Sequence, residues 1–110
     1  MPVRRMKRRY LALRIEGARP SDEAALRRLI LEALVRLFGE DGVVKTRPKI
    51  IEYRPSEGIG IVGCSHKHMG LLRAALASVV EVDGEPIALH VVDVSGTLRT
   101  LRKRLSSRAR

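Results

Sequence analysis

Aromatic side chains are scarce in this chain of 110 residues: Tyr10, Phe38 and Tyr53 are all there are, and tryptophan is absent. Stacking a row of bases on an aromatic sheet surface therefore cannot be its main way of binding nucleic acid. Cysteine is nearly missing too. Cys64 stands alone, which excludes an internal disulfide. No apolar run approaches the roughly 20 residues that span a bilayer. The opening Met1-Pro2-Val3-Arg4-Arg5 has no apolar stretch of signal-peptide type behind it. A soluble, cytoplasmic protein is expected.

Acids are missing from both ends. Residues 1–9 hold Arg4, Arg5, Lys7, Arg8 and Arg9 and no acid, a charge of +5. Residues 97–110 hold Arg99, Arg102, Lys103, Arg104, Arg108 and Arg110 and no acid, a charge of +6. Between them, residues 10–96 set 11 bases against 12 acids. A near-neutral body with two basic ends is the footprint of a polyanion binder. Heat adaptation alone would intersperse both signs in ion-pair networks. Arginine predominates over lysine, and its planar fork binds phosphate bidentately and stacks on bases. That favours nucleic acid over a membrane surface. The expected organisation is a basic arm over 1–7, one domain over 8–105 and a basic tail over 106–110.

Residues 8–16 alternate, with Leu11, Leu13 and Ile15 on one face and Tyr10, Ala12 and Arg14 on the other, as in a half-buried strand. Gly17 to Pro20 is a turn. Ser21 is the expected N-cap of a helix whose apolar stripe runs Leu26, Leu29, Ile30, Ala33, Leu34, Leu37 and Phe38, closed by Gly39 at the C′ position. A second strand over 48–54, beginning as early as Val43, and a third over 59–64 flank the turn Pro55-Ser56-Glu57-Gly58. A second helix over 68–80 follows, then a turn at Asp83-Gly84 and a fourth strand over 87–94. From Ser95 the tail reads as a basic helix with Leu98, Leu101 and Leu105 on one stripe, Ser95 capping it. The order βαββαβ predicts an α+β, ferredoxin-like sandwich: a four-stranded antiparallel sheet, two helices on one face and an added C-terminal basic helix.

RNA-recognition-motif domains share that topology and stack bases on aromatics of the third strand. Here that strand reads Gly58-Ile59-Gly60-Ile61-Val62-Gly63-Cys64, without an aromatic. Binding is therefore expected to rest on phosphate contacts and RNA shape. The glycine spacing does not fit a P-loop, and no Gly-Lys-Ser/Thr follows. Cys64, His66 and His68 are zinc-type ligands, but their spacing matches no standard module and the remaining histidine, His90, is far off in sequence. The plainer reading is a buried Cys64 with His66, Lys67 and His68 at the start of a helix, where anions are favoured. The acids form no catalytic pair, so no catalytic residue and no bound metal are expected. Ser95-Gly96-Thr97, followed by Arg99 and Arg102, is a candidate phosphate grip.

These residues bear a family likeness. Arg9-Tyr10-Leu11 opens the first strand, Phe38-Gly39-Glu40-x-Gly42 closes the first helix, Gly60-Ile61-Val62-x-Cys64 lies on the third strand and Val94-Ser95-Gly96-Thr97-Leu98 opens the basic helix. Over residues 8–105 the chain resembles the protein component 2 family of archaeal ribonuclease P, found also in the eukaryotic enzyme. It departs from the family pattern at Gly63, where many relatives carry arginine. The resemblance implies a non-catalytic subunit of an endoribonuclease whose RNA, with magnesium, removes the 5′ leader of precursor tRNA. It implies pairing with a TIM-barrel-like protein subunit, two copies of each forming a heterotetramer, and support of the RNA's catalytic domain at lower magnesium. The physical role would be neutralising crowded phosphates. The expected contacts are Arg4, Arg5, Lys7, Arg8, Arg9, Ser95, Thr97, Arg99, Arg102, Lys103 and Arg104, with His66 and Lys67 beside them. The part of the open sheet face around Tyr10 and Ala12 is expected to serve protein contacts. A stand-alone module for structured RNA, a ferredoxin-like regulatory or metal-handling domain built on Cys64, His66 and His68, and a small nuclease are the competing readings.

Overall fold

A computed structural model of the protein describes residues 7–108. The chain runs β1 (Arg8–Gly17), α1 (Glu23–Thr46), β2 (Lys49–Arg54), β3 (Ile59–Ser65), a 3₁₀ turn (His66–His68), α2 (Met69–Ser78), β4 (Glu81–Val82), β5 (Glu85–Ser95) and α3 (Leu98–Arg108). The sheet is antiparallel, in the order β2-β3-β1-β5-β4. It has five strands, where four were expected. The extra one is the two-residue β4, which pairs Glu81 with Pro86 and Val82 with Glu85 across the Asp83-Gly84 turn. Both turn residues adopt positive φ, 49° and 80°. Such a tight turn lets the residues just before it fold back onto β5.

β1 lies at the centre, and its alternation sends side chains to two different cores. Leu11, Leu13 and Ile15 meet Leu26, Ile30, Ala33 and Leu34 of α1 and Leu72, Ala75 and Leu76 of α2. Ala12 faces the other way, into a smaller cluster with Ile61 and Leu101, flanked by Tyr10, Ile51, Val92, Leu98 and Leu105. The face expected to stay open is therefore covered by α3. The period that marks Leu98, Leu101 and Leu105 as one stripe explains why: a helix with three leucines on one side buries them on the nearest apolar surface.

Two β-bulges break the alternation. On β5, Ala12 pairs with Asp93 and Leu13 with Val91, leaving Val92 as the added residue. On β2, Ile50 pairs with Val62 and Glu52 with Ile61, leaving Ile51 added.

α1 starts one residue later than the sequence suggests. Asp22, in extended conformation, is the N-cap, and its Oδ1 accepts from Ala25 N at 2.8 Å. It also runs past Gly39, where it was expected to stop. Gly39 adopts φ 72° and ψ −173°, a conformation open almost only to glycine, and breaks the helix into two segments. Glu40 and Asp41 then sit in the first turn of the second segment, where carboxylates favour the helix dipole. Val43 is therefore helical. The stripe's last members, Leu37 and Phe38, are 44% and 37% exposed and stand outside the core. Arg47 closes the segment in left-handed conformation, φ 49°, its N–H donating to the Val43 carbonyl.

Candidate RNA-binding surface

The sheet gathers bases that are scattered in the sequence. β1 begins at the end where β3 and β5 finish and β2 starts: Arg8 pairs with Ser65, Arg9 with Cys64, Tyr10 with both Gly63 and Ser95, and Lys49 with Gly63. His66 N donates to the Lys7 carbonyl at 2.9 Å, which holds the 3₁₀ turn against the start of β1. Lys7, Arg8, Arg9, Lys49, His66, Lys67 and the Ser95-Gly96-Thr97 turn thus share one end of the sheet. Glu16, Glu57, Glu81, Asp83 and Glu85 cluster at the other end, around the Gly17 turn and the two hairpins. Arg14, Arg19 and Arg54 share that end, Arg14 paired with Glu16 and Arg54 with Glu57, so among the described residues the unpaired bases gather at the first end.

Two clefts open at the basic end. Arg8, Arg27, Arg47 and Lys49 line one, with Glu23 as its one acid. Lys7, Lys45, Arg47, His66, Lys67 and His68 line the other, with no acid in the lining. Lys45 is tied to Asp41 at 2.9 Å, one turn away on α1. Arg27, Arg47 and Lys49 were not singled out from sequence. The run Lys45-Thr46-Arg47-Pro48-Lys49, three bases with no acid among them, was the available signal.

At the last helix the expected residues divide. Ser95 does not cap it. Its Oγ accepts from Thr97 N at 3.2 Å, and Thr97 is the cap, its Oγ1 accepting from Thr100 N at 3.2 Å. Arg9 lies over this turn: a Cβ on Gly96 would stand 2.6 Å from Arg9 Nη1. Arg102 and Arg104 flank the leucine stripe and reach the protein's own acids, Glu52 at 3.4 Å and Asp93 at 3.2 Å. Arg99 and Lys103, on the outer side, are exposed and have no ion pair among the described residues. Arg4 and Arg5 lie outside the described residues.

The Cys64 side chain is fully buried, and burial pushes its thiol above the ordinary value, with Arg8 pulling part of the way back. A thiol held protonated in the core is a poor nucleophile and a poor ligand. His66 is exposed on the 3₁₀ turn, so the two do not converge. Among the described residues no group of three or more His, Cys, Asp or Glu could hold a metal ion. No helix among them is long and apolar enough to cross a membrane.

Comparison with known proteins bears on the fold and the family. A chain of the yeast ribonuclease MRP cryo-EM structure has the same fold, with a TM-score of 0.71 and 14% identity, covering 98% of this chain and 95% of that one. Ribonuclease P protein component 2 of Pyrococcus abyssi is 33% identical over 106 residues, 96% of this chain and 90% of that protein. Its counterpart in Thermococcus kodakarensis is 30% identical over 94% of this chain and 86% of that protein. The Rpp14/Pop5 family model matches residues 9–106, and the chain belongs to that family.

Proposed function

We propose that this chain is a protein subunit of ribonuclease P, assisting the catalytic RNA in removing the 5′ leader of precursor tRNA. The observation that carries the reading is the union, at one end of the sheet, of the basic start of β1, the Lys45–Lys49 run and the N-terminus of α3. Packing an RNA catalytic domain crowds phosphates together, and fixed cations between them relieve the repulsion that magnesium must otherwise screen. The chain supplies no chemistry in this reading. It holds no metal of its own, and the RNA uses magnesium. Arg99, Lys103, Lys49, Lys67 and the Arg8–Arg9 pair are the phosphate contacts. Arg102 and Arg104 act first in fixing α3. A TIM-barrel-like protein subunit is the partner, in a heterotetramer with two copies of each, working in the cytoplasm.

The test is cleavage of precursor tRNA at limiting magnesium by the RNA with the partner subunit, adding wild type, Arg99→Ala/Lys103→Ala, Arg27→Ala/Lys49→Ala, or no protein. Stimulation by wild type that falls several-fold in the double variants is expected. Wild type that is folded, with an active partner, and yet gives no stimulation sinks the reading in favour of a stand-alone RNA binder.

A further inference from the structure

One row of the sheet has a composition unlike the rest. In register across four strands on the α3 side stand Lys49, Gly63, Tyr10 and Ser95. The leucine stripe of α3 covers the neighbouring positions Ala12, Ile61 and Val92, and Tyr10 is only packed against the edge of that cluster. Tyr10 is half-buried and Lys49 exposed. The missing side chain at Gly63 is filled from β1. A Cβ there would meet Tyr10 Cε1 at 3.2 Å, Tyr10 Cδ1 at 3.3 Å and Arg8 Nη2 at 3.3 Å. The Arg8 guanidinium is fixed in that place by donating from Nη2 to the Arg47 carbonyl at 3.2 Å. Among the described residues the Tyr10 hydroxyl makes no hydrogen bond, whereas that of Tyr53 donates to Pro20 O at 2.6 Å.

From this geometry we infer that Tyr10, Arg8 and Lys49 form a seat for one unpaired nucleotide of RNA, its base on the Tyr10 ring and its phosphates on the two cations. The inference rests on the RNA-binding reading above and adds a preference to it. Every base has a π-face, so an aromatic beside cations takes unpaired nucleotides with little regard to sequence, while a base held in a duplex cannot reach it. An aromatic in a core needs no flanking cations. Here Arg8 and Lys49 both stand on the β3 and β2 side of the ring, with no carboxylate in the row, the charge complementarity a nucleotide requires. Because α3 covers the rest of this face, the seat holds one base and not a run of them. Gly63 is a positioning residue in this arrangement: any larger side chain displaces both the ring and the guanidinium.

The experiment measures affinity of the full-length protein for two RNA probes, a stem closed by a uridine loop and the same stem as a blunt duplex, over a salt series. Wild type is expected to favour the loop, and Tyr10→Leu to lose roughly tenfold on the loop with little change on the duplex. Tyr10→Phe is expected to behave as wild type. Lys49→Ala is expected to weaken both probes and lower the salt slope, which Tyr10→Leu leaves unchanged. A loop carrying 5-iodouridine should photocrosslink wild-type protein at Tyr10, a readout that needs no variant to fold. An equal loop preference in wild type and Tyr10→Leu, or crosslinks that avoid Tyr10, overturns the seat and leaves the RNA-binding reading standing. Failure of wild type to bind either probe at low salt overturns both.

Discussion

Arg104 on α3 reaches back to Asp93 on β5, its Nη1 standing 3.2 Å from Oδ1 and 3.3 Å from the Val94 carbonyl oxygen. The Asp93 side chain is only 13% exposed, so water does little to replace the guanidinium. Arg104→Ala is expected to cost about 1 kcal/mol, a fall in Tm of about 4–5 °C without RNA. Arg99→Ala, on the outer side of the same helix, should stay within about 0.5 kcal/mol of wild type. Equal melting of the two variants would mean that the pair does not hold α3.

Gly39 tests the break in α1. A Cβ there meets nothing within 4 Å, so Gly39→Ala creates no clash and reports on the backbone alone. The positive φ should make it destabilising by about 1–2 kcal/mol in urea unfolding. An ordinary helical site would instead gain stability from alanine. A rise in the urea midpoint would show that the helix straightens at little cost.

Cys64 makes stability depend on pH. Burial raises its pKa above the ordinary 9.0, with Arg8 opposing. The folded state therefore keeps the proton that the unfolded chain releases. Stability from this group is full below pH 9.0 and is lost as pH rises through the folded value. Wild type should lose stability relative to Cys64→Ala as pH is raised above about 9 in urea titrations. Parallel curves for the two proteins would contradict a buried, protonated thiol.

Polarity should show in RNA binding. Lys49→Ala and Arg99→Ala are each expected to lower the slope of log K against log salt by about 0.7–0.9, if each neutralises one phosphate. Arg14→Ala and Arg54→Ala, whose guanidiniums pair with Glu16, Glu52 and Glu57, should leave it unchanged. A uniform response from all four would mean that the charge acts through its sum and not its placement.

The elements and their order were legible because period and turn chemistry are local. Leu11, Leu13 and Ile15 alternate, Leu26 to Leu34 recur by threes and fours, and both patterns mark a face to be buried. The family was legible from short motifs in order. What the sequence did not show was of two kinds. β4 is two residues long, too short for any periodicity, and the conformation of Gly39 suits a helix break as well as a helix end. The basic end was half legible. Arg8, Arg9 and Arg99 stood out by the absence of acids around them, and Lys67 by its place at the start of a helix. Lys49, signalled only by the short Lys45–Lys49 run, joins them through strand register, and Arg27 through helix packing; charge counts over longer stretches average both away. Nor did the spacing of Arg102 and Arg104 reveal that the sheet answers them with Glu52 and Asp93.

Those two acids owe their positions to the bulges. With strict alternation, Asp93 would share a face with Val91, and Glu52 a face with Ile50, and each carboxylate would point at α1 and α2. One added residue in each strand, Val92 and Ile51, shifts the phase and turns the acid over to α3, with an apolar neighbour on the same side. The C-terminal helix is thus keyed on both flanks by a single-residue offset, in β5 and again in β2. Flattening either bulge, with its extra residue kept in the strand, would leave composition, charge and every motif untouched. It would still exchange what the strand shows to its two faces, unlatching the helix on one side and aiming a bare charge into the core.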